Sequence, residues 1–452
     1  MTLHPVLRLL LRFLATLAVT TVLLPAADPA VLLKDPAVQS LLEVVRRNEP
    51  DTMALLVRLT EIPAPPFKEE ARAAVLRQLF EQHGLKNVFI DRAGNVVGTR
   101  AGAQLRPNVV VSAHLDTVCP EGTDVTVKHD GNRLKAPGIG DDTRGLAELI
   151  SVLRALQETK TPTTGTITFV ATVGEEGLGD LRGVKELFDH TLKDQVDMFI
   201  SIDGGGTGTI TAFGVGSYRY RVTFKGPGGH SYGAFGLVNP IHALGRAAAV
   251  IADIQVPASP KTTFNIGRIG GGTSVNSIPF EAWMEIDMRS PDPVPLGAVR
   301  EQILAAVDAA VKAENARWPK GAITADVQLV GDRPPGQTSA DTALVQGAQG
   351  VIRALGGVPV LRASSTDANY PMKLGIPAIT VGTGGISRDA HSLDESYEPV
   401  DSWKGPQHTL LLLLSLTRGM RGMQGGNADP ACLSGGSGSR PTAADREVGP
   451  PV

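Results

Sequence analysis

The chain has very little cysteine and no cluster of basic residues. Its 452 residues include two cysteines, Cys119 and Cys432. One of them falls in a stretch with almost nothing to bury, so neither a disulfide framework nor a thiolate zinc site is expected. Any metal must therefore be held by histidine and carboxylate side chains. There are 43 basic and 46 acidic residues, a net charge of −3, and this balance argues against nucleic acid as a partner.

The N-terminus lacks a hydrophobic run long enough to span a membrane comfortably. Arg8 and Arg12 precede an apolar run over residues 13–25, which is shorter than the roughly 20 residues of a membrane-spanning helix. This pattern is typical of a secretory signal. We expect residues 1–27 to be a signal peptide and the mature protein to be periplasmic or secreted, without stable membrane association. Residues 24–27 match the small-x-small cleavage rule only loosely, so an uncleaved anchor is the alternative.

Buried strand patterns alternate with helical patterns in two stretches, residues 36–214 and 334–420. The strand patterns lie at residues 109–111, 166–173, 198–202 and 378–381, and helical patterns lie at residues 40–59, 68–82, 144–157, 339–355 and 402–416. This alternation predicts an α/β fold with a mostly parallel sheet, whose ligands bind beyond the carboxyl ends of the strands. We assign the two stretches to one catalytic domain in two parts.

The pattern changes between residues 215 and 333. Alternating strands are predicted at residues 218–224, 262–269, 281–289 and 322–330, with helices at residues 240–254 and 296–316. The order β-α-β-β-α-β is that of a ferredoxin-like α+β unit, so we expect a small domain inserted into the larger one. Residues 421–452 consist mainly of Gly, Ser, Pro and charged side chains, which predicts a disordered tail.

Polar side chains gather where the predicted strands and loops end. They are His114, Asp116, Asp141, Asp142, Glu175, Glu176, Asp203 and His391. Carboxylates a few ångströms apart cannot all stay ionised without cations. Two divalent ions about 3.5 to 4 Å apart would satisfy such a cluster, with two imidazoles, two terminal carboxylates and one bridging carboxylate as ligands. Nitrogen and oxygen donors without sulfur favour zinc, with cobalt or manganese as alternatives.

Five motifs in the chain carry a resemblance to a known family. They are His114-Leu115-Asp116-Thr117-Val118, Gly138-Ile139-Gly140-Asp141-Asp142, Gly174-Glu175-Glu176-Gly177, Ile202-Asp203-Gly204-Gly205 and Ala390-His391-Ser392. In this order they resemble the metal-site motifs of the co-catalytic zinc peptidase family that contains glutamate carboxypeptidase, aminoacylase and the tripeptide aminopeptidase peptidase T. The resemblance covers roughly residues 40–420 and implies that the inserted unit is a lid and dimerisation domain.

The resemblance also implies a ligand set. It assigns His114 and Asp203 to one zinc ion, Glu176 and His391 to the other, and Asp141 to a bridge between them.

Two further acidic residues receive roles from the same resemblance. Asp116 would orient His114. Glu175 would be the general base. It would take a proton from the water between the ions, which leaves a hydroxide, and pass that proton to the leaving amine. The structural alternatives are that Glu175 is a mere neighbour of Glu176 and that Asp142 is a loop or helix-cap residue.

The inserted domain has candidate residues of its own. His230, in Gly228-Gly229-His230-Ser231, resembles the family's lid histidine, which reaches the active site of the other subunit and therefore implies a homodimer. Asn276 and Arg289 resemble ligands of the substrate carboxylate, which a guanidinium can bind through two parallel hydrogen bonds. The alternatives are an exposed loop histidine and a solvated arginine at a strand end. Thr143-Arg144 follows the bridging motif where many members have a Lys-Gly pair, which leaves substrate details open but does not affect the metal site.

The chemistry predicts a metal-dependent hydrolase that cleaves amide bonds of short peptides, as a di- or tripeptidase or another exopeptidase. An N-acyl amino acid deacylase or amidohydrolase would use the same metal site with a different pocket. A non-catalytic protein that captures a metal or a peptide is a third alternative. The presence of Glu175 argues against it, because a binding protein has no use for a base beside the ligands.

Overall fold

The structure is a computed structural model that describes residues 26–418. The predicted tail and all but the last two residues of the predicted signal peptide lie outside these residues. Within the described range, no helix combines the length and the apolar character that crossing a lipid bilayer requires.

Helices and strands alternate along most of the described chain. The α-helices are α1 (Pro29–Leu32), α2 (Pro36–Arg47), α3 (Glu49–Thr60), α4 (Glu70–Gln82), α5 (Arg144–Glu158), α6 (Arg182–Glu186), α7 (Pro240–Ala252), α8 (Pro293–Arg317), α9 (Ala343–Ala354), α10 (Asn369–Lys373) and α11 (Lys404–Arg418). The first ten strands are β1 (Lys86–Ile90), β2 (Val96–Arg100), β3 (Asn108–His114), β4 (Lys128–Asp130), β5 (Arg133–Lys135), β6 (Thr166–Thr172), β7 (Met198–Ile202), β8 (Thr209–Gly214), β9 (Gly216–Lys225) and β10 (Gly229–His230). The others are β11 (Thr263–Gly271), β12 (Ser277–Ile278), β13 (Glu281–Ser290), β14 (Thr324–Arg333), β15 (Gly336–Gln337), β16 (Val360–Ser364), β17 (Ala378–Val381), β18 (Ile386–Arg388) and β19 (Ser396–Glu398).

A nine-stranded sheet forms the centre of the larger unit. Its order is β1-β2-β6-β3-β7-β17-β8-β15, and β16 pairs with β8. The middle strands β6, β3, β7 and β17 run parallel to one another, and they are buried on both faces, which fits their continuous apolar sequences. The predicted α/β class is therefore confirmed, with antiparallel strands added at both edges. The carboxyl ends of β3, β6 and β7 lie side by side at one edge of the sheet.

The structure corrects the prediction of one helix over residues 40–59. The segment forms two helices, α2 and α3, that meet at Asn48. Pro50 lies in the first turn of α3, where a residue without a backbone N–H is tolerated, whereas inside a longer helix it would remove a hydrogen bond. Sequence analysis also missed β8 and β16, which have mixed polar and apolar residues.

The inserted segment forms a separate four-stranded antiparallel sheet in the order β11-β13-β9-β14. Along β13 buried residues alternate with partly exposed ones, and the buried side chains pack against α7 and α8 in one hydrophobic cluster. The predicted β-α-β-β-α-β order is confirmed. The opposite face of this sheet carries charged residues such as Arg219 and Asp287. We call residues 215–333 the lid.

Candidate metal centre

His114 is the last residue of β3 and is buried. Its Nδ1 lies 3.0 Å from the backbone oxygen of Asp116. A carbonyl oxygen can only accept a hydrogen bond, so Nδ1 donates and Nε2 is left to face a ligand. The carboxylate of Asp116 lies further away, with Oδ1 3.7 Å from Nδ1. Asp116 therefore contacts the imidazole most closely through its backbone oxygen, and the orienting role that the resemblance gives to its carboxylate stays a prediction.

The carboxylate of Asp116 has a different role in the structure. Its Oδ1 accepts the backbone N–H of Glu175 at 3.1 Å and its Oδ2 accepts that of Glu176 at 2.8 Å. These two residues follow β6, so the side chain of Asp116 links the end of β3 to the loop after β6. Both acidic residues of that loop are held by this one buried carboxylate.

Asp141 lies between the two candidate histidine ligands. Its Oδ1 is 3.1 Å from Nε2 of His114, and its Oδ2 is 3.0 Å from Nε2 of His391. The loop that carries Asp141 is held by Glu395, whose carboxylate accepts backbone N–H groups of Gly138, Gly140 and Asp141 at 2.8 to 2.9 Å. Each oxygen of Asp141 thus faces a different imidazole, which is the arrangement of a bridging ligand.

The structure brings all five predicted metal ligands together. The candidate donor atoms of His114, Asp141 and Asp203 lie within 4.8 Å of one another, and so do those of Asp141, Glu176 and His391. The candidate donor atoms of a third group, His114, Glu175 and Glu176, also lie within 4.8 Å of one another. The first two groups share Asp141 and give each ion one nitrogen and two oxygen donors, a set that suits zinc and similar divalent ions. The residues therefore fit a two-ion centre.

The electrostatics of the cluster show an excess of negative charge. Hydrogen bonds to Asp141 and Glu176 raise the pKa of His391 to about 11. Burial, together with the neighbouring carboxylate of Asp141, raises the pKa of Asp203 well above its usual range. Burial opposes ionisation of Asp141 as well, yet the hydrogen bonds from His114 and His391 hold its pKa below its usual range. Such a site attracts positive charge strongly.

A cavity of about 410 Å³ opens beside these ligands. Its lining includes Asp141, Glu175, Glu176, Asp203 and His391, and on the other side the arginines Arg219, Arg289 and Arg333. Ser364 and Ser365 also line it. The cavity is therefore acidic where the metal ligands gather and basic where the lid faces them.

The three candidate residues of the lid differ in their positions. Arg289 lines the cavity, and its Nε donates to Asp287 at 2.8 Å. Among the described residues of this single chain, His230 and Asn276 are not part of the cavity lining. His230 is exposed on β10, where its Nδ1 accepts the backbone N–H of Tyr232 at 3.2 Å.

Three other residues near the site are buried, and none of them was predicted as a site residue. Arg144 is fully buried and donates from Nη2 to the backbone oxygen of Ser402 at 2.9 Å, so it points into the protein and not toward substrate. Glu395 was missed, because a carboxylate that accepts backbone N–H groups leaves no sequence signature. Arg333 was missed because it ends a strand, as many solvated arginines do, although it is buried beside Glu175.

Two residues that had been left open are buried outside the ligand groups. Asp142 accepts the backbone N–H of His114 through Oδ2 at 3.0 Å, which agrees with a loop role. Cys119 is buried, and within residues 26–418 it belongs to none of the candidate metal groups.

Comparisons with known proteins agree with this geometry. Residues 110–414 match the family described as Peptidase family M20/M25/M40. A succinyl-diaminopimelate desuccinylase of Corynebacterium glutamicum is 26% identical over 353 residues, which cover 76% of this chain and 91% of that protein. A tripeptidase structure from Staphylococcus aureus has a TM-score of 0.65 at 25% identity and covers 82% of this chain and 98% of its own. The aminopeptidase PepT from Bacillus cereus has a TM-score of 0.64 at 22% identity, with 81% of this chain and 98% of that one covered.

Fold, site and relatives together define a metal-dependent hydrolase that acts on amide bonds. The chain belongs to Peptidase family M20/M25/M40, and one solved structure of that family, YXEP of Bacillus subtilis, is described as a dinuclear metal-binding peptidase. The resemblance stated from five motifs is thereby confirmed.

Proposed function

We propose that the chain is a di-zinc exopeptidase that removes a residue from short peptides, with Glu175 as its general base. The observation that carries the proposal is the position of Asp141, whose two oxygens each face one imidazole, at 3.1 Å and 3.0 Å. His114 and Asp203 would hold one ion, and Glu176 and His391 the other. When bound, the ions would polarise the scissile carbonyl and lower the pKa of a coordinated water.

Glu175 differs from its neighbour Glu176 in a way that suits a base. Glu176 lies beside His391, with Oε1 3.0 Å from Nε2, whereas Oε1 of Glu175 accepts a hydrogen bond from Nη1 of Arg333 at 3.0 Å. A carboxylate already paired with a guanidinium is a poor candidate for a cation ligand, because the guanidinium repels the cation. Burial raises the pKa of Glu175 above its usual value, which brings it closer to neutrality, where a general base works best.

The substitution Glu175→Gln tests the catalytic role. We expect the variant to bind as much metal as the wild type and to lose turnover by about 100-fold or more. Glu148→Gln is the matched control, since Glu148 is buried outside the cavity and the substitution should leave turnover unchanged. If Glu175→Gln hydrolysed substrate at the wild-type rate, both the base assignment and the reaction scheme would be wrong.

A second candidate function is favoured by the arginines of the cavity. Arg219, Arg289 and Arg333 contribute three positive charges, against which Asp287 and Glu175 contribute two negative ones. The surplus charge favours a substrate that carries a carboxylate near the scissile bond. The desuccinylase relative removes an acyl group that is itself acidic. An N-acyl amino acid deacylase is therefore the second candidate on the same metal site.

A hydrolysis screen separates the two candidates. Dipeptides, tripeptides, folate-like glutamates and N-acyl amino acids would be compared in the presence and absence of a chelator, together with metal analysis of the purified protein. Release of amino acids from peptides supports the exopeptidase, and release of acyl groups supports the deacylase. Zinc, cobalt or manganese at two equivalents per chain would identify the native ion. Hydrolysis that persists after full removal of metal would contradict both candidates.

We also propose that the protein forms a homodimer through the lid. His230 is exposed and outside the cavity of its own chain, which suits a residue that completes the site of a second chain. Mixing two inactive variants, Glu175→Gln and His230→Ala, should then restore part of the activity, because some mixed dimers contain one intact site. A monomer in sedimentation analysis, or no restoration on mixing, would contradict this proposal.

Export is proposed from the signal pattern alone. N-terminal sequencing of the protein purified from the cell envelope and from the medium would locate the cleavage. A mature chain that starts at Met1 in the cytosolic fraction would contradict export.

A further inference from the structure

The guanidinium of Arg333 is bound to Glu175 at two points. Nη1 donates to the side-chain Oε1 of Glu175 at 3.0 Å, and Nη2 donates to its backbone oxygen. Nη1 also donates to Oγ of Ser365 at 3.3 Å. Arg333 is the last residue of β14 in the lid and its side chain is 5% exposed. A lid residue thus holds both the side chain and the main chain of the proposed base.

Neighbouring contacts tie the same part of the lid to the loop that carries Glu175. The backbone N–H of Asp332 donates to Oδ1 of Asp180 at 2.7 Å, and Nζ of Lys185 donates to the backbone oxygen of Asp332 at 2.9 Å. On the adjacent strand, Arg219 donates from Nη1 to the backbone oxygen of Gly177. The segment from Glu175 to Lys185 is therefore fastened to the ends of two lid strands.

The geometry of the pair leaves one oxygen of Glu175 available. Arg333 donates to Oε1, and among residues 26–418 Oε2 has no hydrogen-bond partner, so it is free to receive a proton. One donor of the planar guanidinium holds the carboxylate of Glu175 and a second donor holds the main chain of the same residue, so the side chain is fixed relative to its own backbone by a fork that a single ammonium group does not provide. A misplacement of about 1 Å in a catalytic group can cost about 100-fold in rate. Arg333 is thus placed to determine how well Glu175 works.

We propose that Arg333 is the positioning residue for Glu175 and that, through it, the lid sets the orientation of the base. The proposal rests on the proposed function of Glu175 as base. The competing role is a substrate ligand, since Arg333 lines the cavity and could bind a substrate carboxylate as Arg289 is proposed to do. The two roles differ in the kinetic constant that they control. A positioning residue acts on kcat, and an anion ligand acts on KM for charged substrates.

Three variants test the proposal by kinetics. For Arg333→Ala we expect kcat to fall by about 100-fold with KM changed by less than about threefold. Arg333→Lys should recover only part of kcat, because it keeps the charge but not the two-point geometry, and guanidinium ions at millimolar concentration should partly rescue Arg333→Ala. The matched control is Arg221→Ala, which removes a lid arginine that pairs with Glu285 at 2.7 Å and lies outside the cavity lining; it should leave kcat unchanged.

The outcomes separate this inference from the proposed function. If wild-type protein is active and Glu175→Gln is not, but Arg333→Ala keeps its kcat, the inference is wrong and the proposed function stands. A rise in KM restricted to substrates with a free carboxylate would assign Arg333 to substrate binding and overturn the inference too. Wild-type protein without hydrolytic activity would overturn both.

A measurement independent of activity completes the test. Thermal unfolding of chelator-treated protein would be compared for Arg333→Ala, Glu175→Gln and the double variant. Because Arg333→Ala leaves a buried carboxylate without its partner, we expect the fall in Tm of the double variant to be smaller than the sum of the two single falls. Additive falls would show that the two side chains do not interact, and would overturn the inference.

Discussion

Two buried clusters of charged side chains are reached from the short segment between Asp141 and Arg144. The negative charge of their carboxylates is neutralised in different ways. In the metal centre Asp141 and Glu176 pair with histidines, and among residues 26–418 no arginine or lysine forms an ion pair with Asp141, Glu176 or Asp203. Three residues after Asp141, the side chain of Arg144 enters the second cluster, where Nη2 lies 3.5 Å from Oε1 of Glu49. The chain supplies the cation of the second cluster itself, whereas the first needs cations from solution.

The other carboxylate of the second cluster, that of Glu148, adds little negative charge. Glu148 lies one turn beyond Arg144 on α5, and its Oε1 accepts a hydrogen bond from Thr409 at 2.7 Å. Burial raises the pKa of Glu148 to about 8, so it is mostly protonated at neutral pH and adds little charge. Buried carboxylates are therefore not sufficient evidence of a metal site. The informative feature is a group of carboxylates that has no cation of its own and opens to a cavity.

The most direct test of the comparison is to substitute, one at a time, the two adjacent acidic residues Asp141 and Asp142. Asp141→Asn should abolish tight binding of metal and lower turnover by about 1,000-fold or more. The variant would lose the ions that polarise the scissile carbonyl and, with them, the coordinated water from which Glu175 takes a proton. Metal analysis and a steady-state assay measure the two effects.

Asp142→Asn is the matched control for that variant. Burial raises the pKa of Asp142 well above its usual range, and an asparagine can still accept the N–H of His114 through its side-chain oxygen. We expect the variant to retain its metal and most of its activity. Loss of metal from Asp142→Asn and not from Asp141→Asn would reverse the assignment of the bridge.

The second cluster is tested through stability and not through activity. Arg144→Met removes its cation and leaves the buried Glu49 with only the hydroxyl of Ser402 as a partner, which should lower the free energy of unfolding by about 3 to 5 kcal/mol. On the same helix, Arg154 pairs with Asp51 at 2.8 Å in a more exposed position, so Arg154→Met should cost less than about 1 kcal/mol. Urea unfolding measures both. Equal losses would mean that the second cluster contributes no more than a surface ion pair.

The comparison also explains what the sequence could predict. The metal ligands were found because each follows a strand or a glycine-rich loop in a short motif, and parallel strands bring their carboxyl ends together at one edge of the sheet. Strands such as β3 and β7 were predicted because their apolar residues are continuous in the sequence. β8 was missed because it pairs near the edge of the sheet and has mixed side chains.

The residues that hold the site in place left no comparable signal. Glu395 acts through backbone N–H groups, and Arg333 meets Glu175 across 158 positions of sequence. Arg144 departs from the family pattern in sequence, and its contact with Ser402 lies 258 positions away. Such contacts depend on tertiary packing, which a local pattern does not encode.

The smallest effect is expected for the hydrogen bond that Thr409 donates to Glu148, and it should depend on pH. The pKa of Glu148 is raised from 4.5 to about 8, mainly by burial, and the hydrogen bond from Thr409 opposes that rise. Because the folded state binds the proton more tightly, stability from this group is full below pH 4.5 and is lost as pH increases through about 8.

Thr409→Val should cost about 1 kcal/mol near pH 6 and about 2 kcal/mol near pH 9, since hydrogen bonds to a charged acceptor are stronger. Thr417→Val is the control on the same helix, where the hydroxyl donates only to the backbone oxygen of Leu413 and the loss should not vary with pH. A loss for Thr409→Val that is equal at both pH values would mean that the protonation state of Glu148 does not change between them, which would contradict the raised pKa.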